Sequence, residues 1–242
     1  MRPLIIVRPQ PGAAATAKAA AALGLDPLVH PIFAVRPVAW EPVPRDTVDA
    51  VLLGSANAVR HGGEALALLQ GVPAYCVGQT TAEAAEAAGF AVARTGSGGL
   101  QSVLDALDPA HRRVLRLAGA ARVPLTAPAG VTMTTRVVYA SVPLPMSDAL
   151  RRALAQACVV LLHSGEAARH FASLCEQVGV DRSCIALAVI GPRVAPLCGP
   201  GWHALEIAAP PSDAALLALA GQMCQDTVGL SHSSPERPDA RR

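Results

Sequence analysis

The chain has 242 residues, room for one large or two small domains. It is 52% hydrophobic and 16% charged, enough apolar surface to bury a core and unlike a disordered chain. A net charge of +2 gives no electrostatic footprint for nucleic acid. Aromatic residues are scarce at 3%, so alanine and aliphatic side chains must do the packing. Of the 20 basic residues only Lys18 is a lysine, a compositional bias rather than a functional signal.

In chain order, Leu4–Val7 reads as a short apolar strand that Arg8-Pro9 ends, because Pro9 and Pro11 cannot continue it. A helix is predicted from about Ala13 to Leu23, stopped by Gly24. Leu28–His30 is a second strand, and Ile32–Trp40 an extended segment carrying Pro37. Val51–Arg60, VLLGSANAVR, then joins an apolar run to an Ala-rich helical pattern through Ser55. A run of this kind fits a parallel strand feeding a helix, with the serine at the N-cap. That places a hydroxyl and unpaired N–H groups at the carboxyl end of a strand, where open α/β sheets bind ligands.

Val114–Leu117 is another strand, and Pro124 and Pro128 make a long helix after it unlikely. Arg136–Val142 is extended, closed by Pro143 and Pro145. About 110 residues after the first motif, Val160–Arg169, VLLHSGEAAR, repeats it around Ser164. Ala74–Ala82 is matched by Leu187–Ala195, each an apolar strand, a glycine and a helix start. Ser97–Leu107 is matched by Ser212–Ala220. Three strand–turn–helix units thus recur in one order, which predicts two similar three-layer α/β domains with parallel sheets.

The N-terminal strand–helix–strand is too short to be a domain, and the block from 148 to 227 lacks a full sheet. Joined, residues 1–35 and 143–229 make one discontinuous domain, with 38–139 inserted in it. The segments 32–40 and 136–145 are then the crossings and are expected to pair as a two-stranded β-ladder. Residues 230–242 read as a disordered tail.

Much chemistry is absent. There is no phosphate-binding loop, dinucleotide fingerprint or nucleophile elbow. The six cysteines form no CxxC pair and read as reduced, buried thiols. His163 and His170 lie seven apart without a set of acidic or sulfur ligands, so no metal is expected. No leader or long apolar span is evident, so a cytoplasmic protein without a membrane role is expected. What remains is backbone N–H groups, hydroxyls and arginines, a set suited to a polyanionic ligand.

Several segments carry a family likeness: Arg8-Pro9, Ser55–Val59, VGQTTAEAAEAAGF at 77–90, the Tyr of RVVYASV, SGEAARHF at 164–171 and Ile190-Gly191-Pro192. On these the chain resembles uroporphyrinogen-III synthase over roughly residues 4–220. It implies two α/β domains joined by a β-ladder. It also implies a cofactor-independent lyase of tetrapyrrole (porphyrin, heme) biosynthesis. Such an enzyme turns linear hydroxymethylbilane into uroporphyrinogen III, inverting ring D through a spiro intermediate and losing water. A monomer acting on this small molecule, without nucleic acid or membrane, is expected.

Carried over by position, Tyr139 is the expected catalytic contact, its phenol bonding to the leaving hydroxyl. Ser55 and Ser164 are expected to bind substrate carboxylates through hydroxyl and helix-start amides; plain N-capping is the alternative, and both can hold at once. Thr81, Arg8, Arg122 and Gly191 are the other substrate-binding positions, with a cap the competing reading of Thr81 and a surface role that of the arginines. Gly54 stands where members of the family it resembles often carry a hydroxyl, and Arg193-Val194 where some have two threonines; Arg193 is expected to supply charge in their place. A non-catalytic two-domain binding or sensor protein for an anionic small molecule is the alternative, and a synthase-like module without activity a third reading.

Overall fold

A computed structural model describes residues 1–225. The expected tail at 230–242 lies outside the described residues. The chain begins with β1 (Leu4–Ile6), α1 (Gly12–Ala22), β2 (Pro27–Val29) and β3 (Phe33–Pro37). Next come β4 (Ala50–Leu53), α2 (Ala56–Arg60), β5 (Pro73–Val77), α3 (Gln79–Ala87), β6 (Ala91–Gly96) and α4 (Leu100–Asp105). They are followed by β7 (Arg113–Gly119), β8 (Thr132–Pro143), α5 (Asp148–Ala153), β9 (Cys158–Leu162) and α6 (Gly165–Gln177). The last are β10 (Ile185–Val189), β11 (Ala204–Ile207) and α7 (Asp213–Gln225). By contacts the chain divides into two compact units, Met1–Ile32 with the chain from Pro145 onward, and Phe33–Leu144.

The first unit holds a fully parallel sheet in the order β11-β10-β9-β1-β2. Leu4, Ile6, Val159 and Leu161 pack against Ala13 and Ala20 of α1 and Leu216, Leu217 and Ala220 of α7. Ile5, Val160 and Leu162 alternate with them and are equally inaccessible, so the central strands are covered on both faces. Each such Leu, Ile or Val contributes about 1.5–3 kcal/mol by leaving water. Counted within the unit, β1 and β9 are its first and third strands and lie side by side. The winding direction therefore reverses between them, which opens a ligand crevice at their carboxyl ends.

The second unit holds a sheet in the order β3-β8-β7-β4-β5-β6, parallel except for β3. Val51 and Leu53 of β4 face Ala58 of α2 and Ala82 and Ala85 of α3. Ala50 and Leu52 face Val103 and Leu104 of α4. Here the winding reverses between β4 and β7. At the opposite, amino ends, Asp49 ties these two strands: its Oδ1 accepts from Arg113 Nη2 at 2.6 Å and its Oδ2 from the Arg113 and Arg112 amides at 2.7 and 3.0 Å. The Arg113 side chain and these amides hold the Asp49 carboxyl well below the usual carboxylate range.

Three sequence expectations need correction. The extended segment before Pro145 begins at Thr132, not Arg136; it pairs with the segment around Phe33–Pro37 as expected, but its first half belongs to the sheet. Residues from Thr132 to Tyr139 pair in parallel with β7, and from Tyr139 to Pro143 in antiparallel with β3. Its Thr-rich first half carries no apolar run, so its membership of the sheet was not legible. The second copy of the glycine-to-helix unit makes only a 3-10 turn, Ala195–Leu197, where the first copy makes α3. Pro192 and Pro196 remove the amides a helix would need there. Thr81 does not cap α3: Gly78 is the N-cap, with no side-chain bond.

Candidate functional site

At the β4–β7 reversal of the second unit lies a pocket of about 190 Å³. Its lining includes Gly54, Ser55, Leu100, Arg116, Gly119, Arg122, Val123 and Tyr139. Three expected site residues, Ser55, Arg122 and Tyr139, therefore line one cavity. They arrive there from the carboxyl end of β4, the loop after β7 and the middle of β8.

Ser55 is the N-cap of α2, in extended backbone, and its Oγ accepts from the Asn57 amide at 3.2 Å. Arg122 is exposed, and its Nη1 donates to the Ala120 carbonyl at 3.0 Å. Tyr139 sits where β8 passes from β7 to β3, opposite both Gly119 and Pro37. Its carbonyl accepts from the Ala120 amide at 2.9 Å, which ties the loop after β7 to it. Its ring lies 6.3 Å from that of His61, tilted by 38°. The Tyr139 hydroxyl makes no hydrogen bond to any described residue and is available to a ligand.

Leu100 fills the space beside Gly54: a Cβ on Gly54 would lie 3.1 Å from Leu100 Cδ2.

The first unit carries a second cluster at the β1–β9 reversal. Ser164 caps α6, its Oγ accepting from the Ala167 amide at 3.1 Å. Arg8 Nη1 donates to Asp213 Oδ2 at 2.8 Å and to Thr16 Oγ1 at 3.2 Å. His163 Nε2 stands 3.8 Å from Asp213 Oδ1, and both ring nitrogens lack a hydrogen-bond partner. Its side chain is 9% exposed. Burial first, and then the Arg8 charge, push its pKa down to about 4, against the pull of Asp213. Gly191 is buried, and a Cβ on it would lie 3.3 Å from Pro211. Arg193 is exposed and makes no ion pair or hydrogen bond with a described residue. Val194 is buried. Thr81 is buried in the first turn of α3 and does not line the pocket of the second unit.

Two groups were missed in the sequence. Arg116, on β7, is 5% exposed and lines the pocket. A charge in the middle of the apolar run RVLRLAG was the available signal. Asp213 joins Arg8 across 205 positions, a distance no local pattern reports.

Among the described residues no cluster of His, Cys, Asp or Glu can hold a metal ion. The six cysteines are free and five are buried, and burial raises the Cys158 and Cys175 thiols to about 12. No described helix is long and apolar enough to cross a membrane. The arrangement offers hydroxyls, guanidinium groups and helix-start amides, which bind and polarise oxygen-rich groups.

No curated protein matches the chain. The crystal structure of uroporphyrinogen-III synthetase from Helicobacter pylori is similar in fold, with a TM-score of 0.60 at 20% identity, covering 92% of this chain and 100% of that one. Wild-type uroporphyrinogen III synthase from the extremely thermophilic bacterium Thermus thermophilus matches at a TM-score of 0.40 and 18% identity, covering 91% of this chain and 98% of that one. The family profile described as Uroporphyrinogen-III synthase HemD matches residues 14–218, most of the chain. The chain belongs to the uroporphyrinogen-III synthase family.

Proposed function

We propose that the chain is a uroporphyrinogen-III synthase, a cyclising lyase of tetrapyrrole biosynthesis. It takes linear hydroxymethylbilane to uroporphyrinogen III with ring D inverted and one water released. The observation that carries this reading is the family match over residues 14–218, joined to the pocket where Tyr139, Ser55 and Arg122 meet. A non-catalytic binding or sensor protein is not favoured.

The chemistry suits these residues. Hydroxymethylbilane loses its hydroxyl and cyclises unaided to the wrong isomer, so the enzyme's task is geometric and electrostatic. In this reading the Tyr139 phenol donates to the departing hydroxyl of ring A, which leaves as water. The electron-rich ring D then attacks through its substituted carbon, giving a spiro intermediate that reopens and closes inverted. Ser55, Ser164 and the arginines hold carboxylates and keep the chain folded. No cofactor takes part.

The two compact units are read as two domains, with residues 38–139 inserted between 1–35 and 143–229. The β3–β8 pairing is read as the connecting ladder. The enzyme is taken as a cytoplasmic monomer.

The test is to supply freshly generated hydroxymethylbilane and separate the uroporphyrin isomers after oxidation. Isomer III above the spontaneous background is the expected product. Isomer I alone, at the uncatalysed rate, overturns the reading.

A further inference from the structure

Arg116 is a cation in the wrong place for a purely structural residue. It belongs to a buried parallel strand and is 5% exposed. Its Nη2 donates to the Val123 carbonyl at 2.9 Å, and its Nε has no partner. No described carboxylate lies within ion-pair range of it. A buried ion without a counter-ion is strongly unfavourable, because the interior does not replace the lost hydration. The surroundings add to the problem. Arg122 lines the same cavity as a second cation, and no Asp or Glu lines it. Burial, and then the Arg122 charge, push the Arg116 pKa down. An arginine keeps its charge under such pressure, so the remedy is an anion.

The cavity beside it, about 190 Å³, has room for a short acidic side arm. A guanidinium is planar and presents paired N–H groups that match the two oxygens of a carboxylate. We propose that this pocket is a carboxylate subsite in which Arg116 pairs with one acidic side arm of the substrate, beside the Tyr139 hydroxyl. The assignment rests on the synthase reading and deepens it. Fixing one arm at Arg116 fixes where the rest of the bilane lies relative to Tyr139. Arg116 is thus a substrate-binding residue whose charge is compensated only when the site is filled.

The experiment compares the parent chain with Arg116→Met, which keeps volume and removes charge. Steady-state turnover of hydroxymethylbilane and thermal melting are measured on both. KM should rise at least tenfold, kcat should stay within about threefold, and the melting temperature should be unchanged or higher, because a ligand-free burden is gone. A lower melting temperature with the parent KM would mean a structural role and overturn the proposal. If Arg116→Met does not fold, Arg116→Lys replaces it. A raised KM in a folded Lys variant supports the fork-shaped contact, and an unchanged one overturns it. A parent chain that yields isomer I alone removes the synthase reading, not the subsite. Fluorescence titration with uroporphyrin III, a polycarboxylate probe, then decides: tenfold weaker binding to Arg116→Met supports the subsite, equal binding overturns it.

Discussion

The ring of Tyr139 lies directly on the backbone of Gly119. A Cβ built on Gly119 would stand 2.7 Å from Tyr139 Cε2 and Cζ and 3.0 Å from its hydroxyl. The two residues face each other across the β7–β8 pair, just past a shift in register at Ala118. Glycine is needed here for close approach, not for an unusual turn, and it sets the place of the phenol in the pocket.

Gly119→Ala should therefore act through Tyr139. The added methyl must push the ring or the strand, at a cost of about 1–3 kcal/mol for overpacking. Turnover should fall at least tenfold, and a crystal structure of the variant should show the ring displaced. Parent turnover would mean that the position of the phenol is unimportant.

Tyr139→Phe tests the hydroxyl alone. The ring keeps its seat on Gly119 and its place beside His61, so stability should change by less than about 0.5 kcal/mol. Losing one hydrogen-bond donor to a departing group costs on the order of 10²-fold in kcat. Isomer separation and a urea melt on the same preparation check both halves.

Arg193→Ala should raise the KM for hydroxymethylbilane a few-fold while leaving the melting temperature in place. The side chain is exposed and has no described partner, so stability does not depend on it. An unchanged KM would show that Arg193 takes no part in holding the substrate.

The His163 cluster predicts a pH effect. Unfolded, the imidazole takes its proton near 6.5; folded, it does so near 4, because burial and the Arg8 charge oppose the cation. Between those values the unfolded state holds more protons, so acid favours unfolding. The stability contribution is complete above pH 6.5 and is lost as pH falls toward 4, by about 3 kcal/mol in all. Urea melts at pH 7.5 and 5.0 should show the loss in the parent and a smaller one in His163→Leu. Equal slopes in the two proteins would place the effect elsewhere.

Gly54→Thr adds a hydroxyl next to Ser55, yet its Cβ meets Leu100. Alone it should destabilise the second unit by about 1–3 kcal/mol. Paired with Leu100→Ala it should melt nearer the parent, which a double-mutant cycle would show as coupling.

Local chemistry made much of this chain readable. The apolar runs before Ser55 and Ser164, each followed by a cap and an Ala-rich pattern, marked β4–α2 and β9–α6, because buried parallel strands and N-caps leave strong signals a few residues long. The family motifs took in Ser55 and Ser164 in those stretches and Tyr139 in RVVYASV, so these three were nameable. The edge strands β6 and β11 were not, since AVARTG and ALEI are largely exposed and need no apolar alternation. Tertiary structure alone decided which distant groups meet. It sent β8 from β7 to β3 at Tyr139, set that ring on Gly119, joined Arg8 to Asp213 and left Arg116 buried without a counter-charge. Burial and pairing depend on the whole packed chain, and a run of neighbouring residues carries no record of what will lie against it.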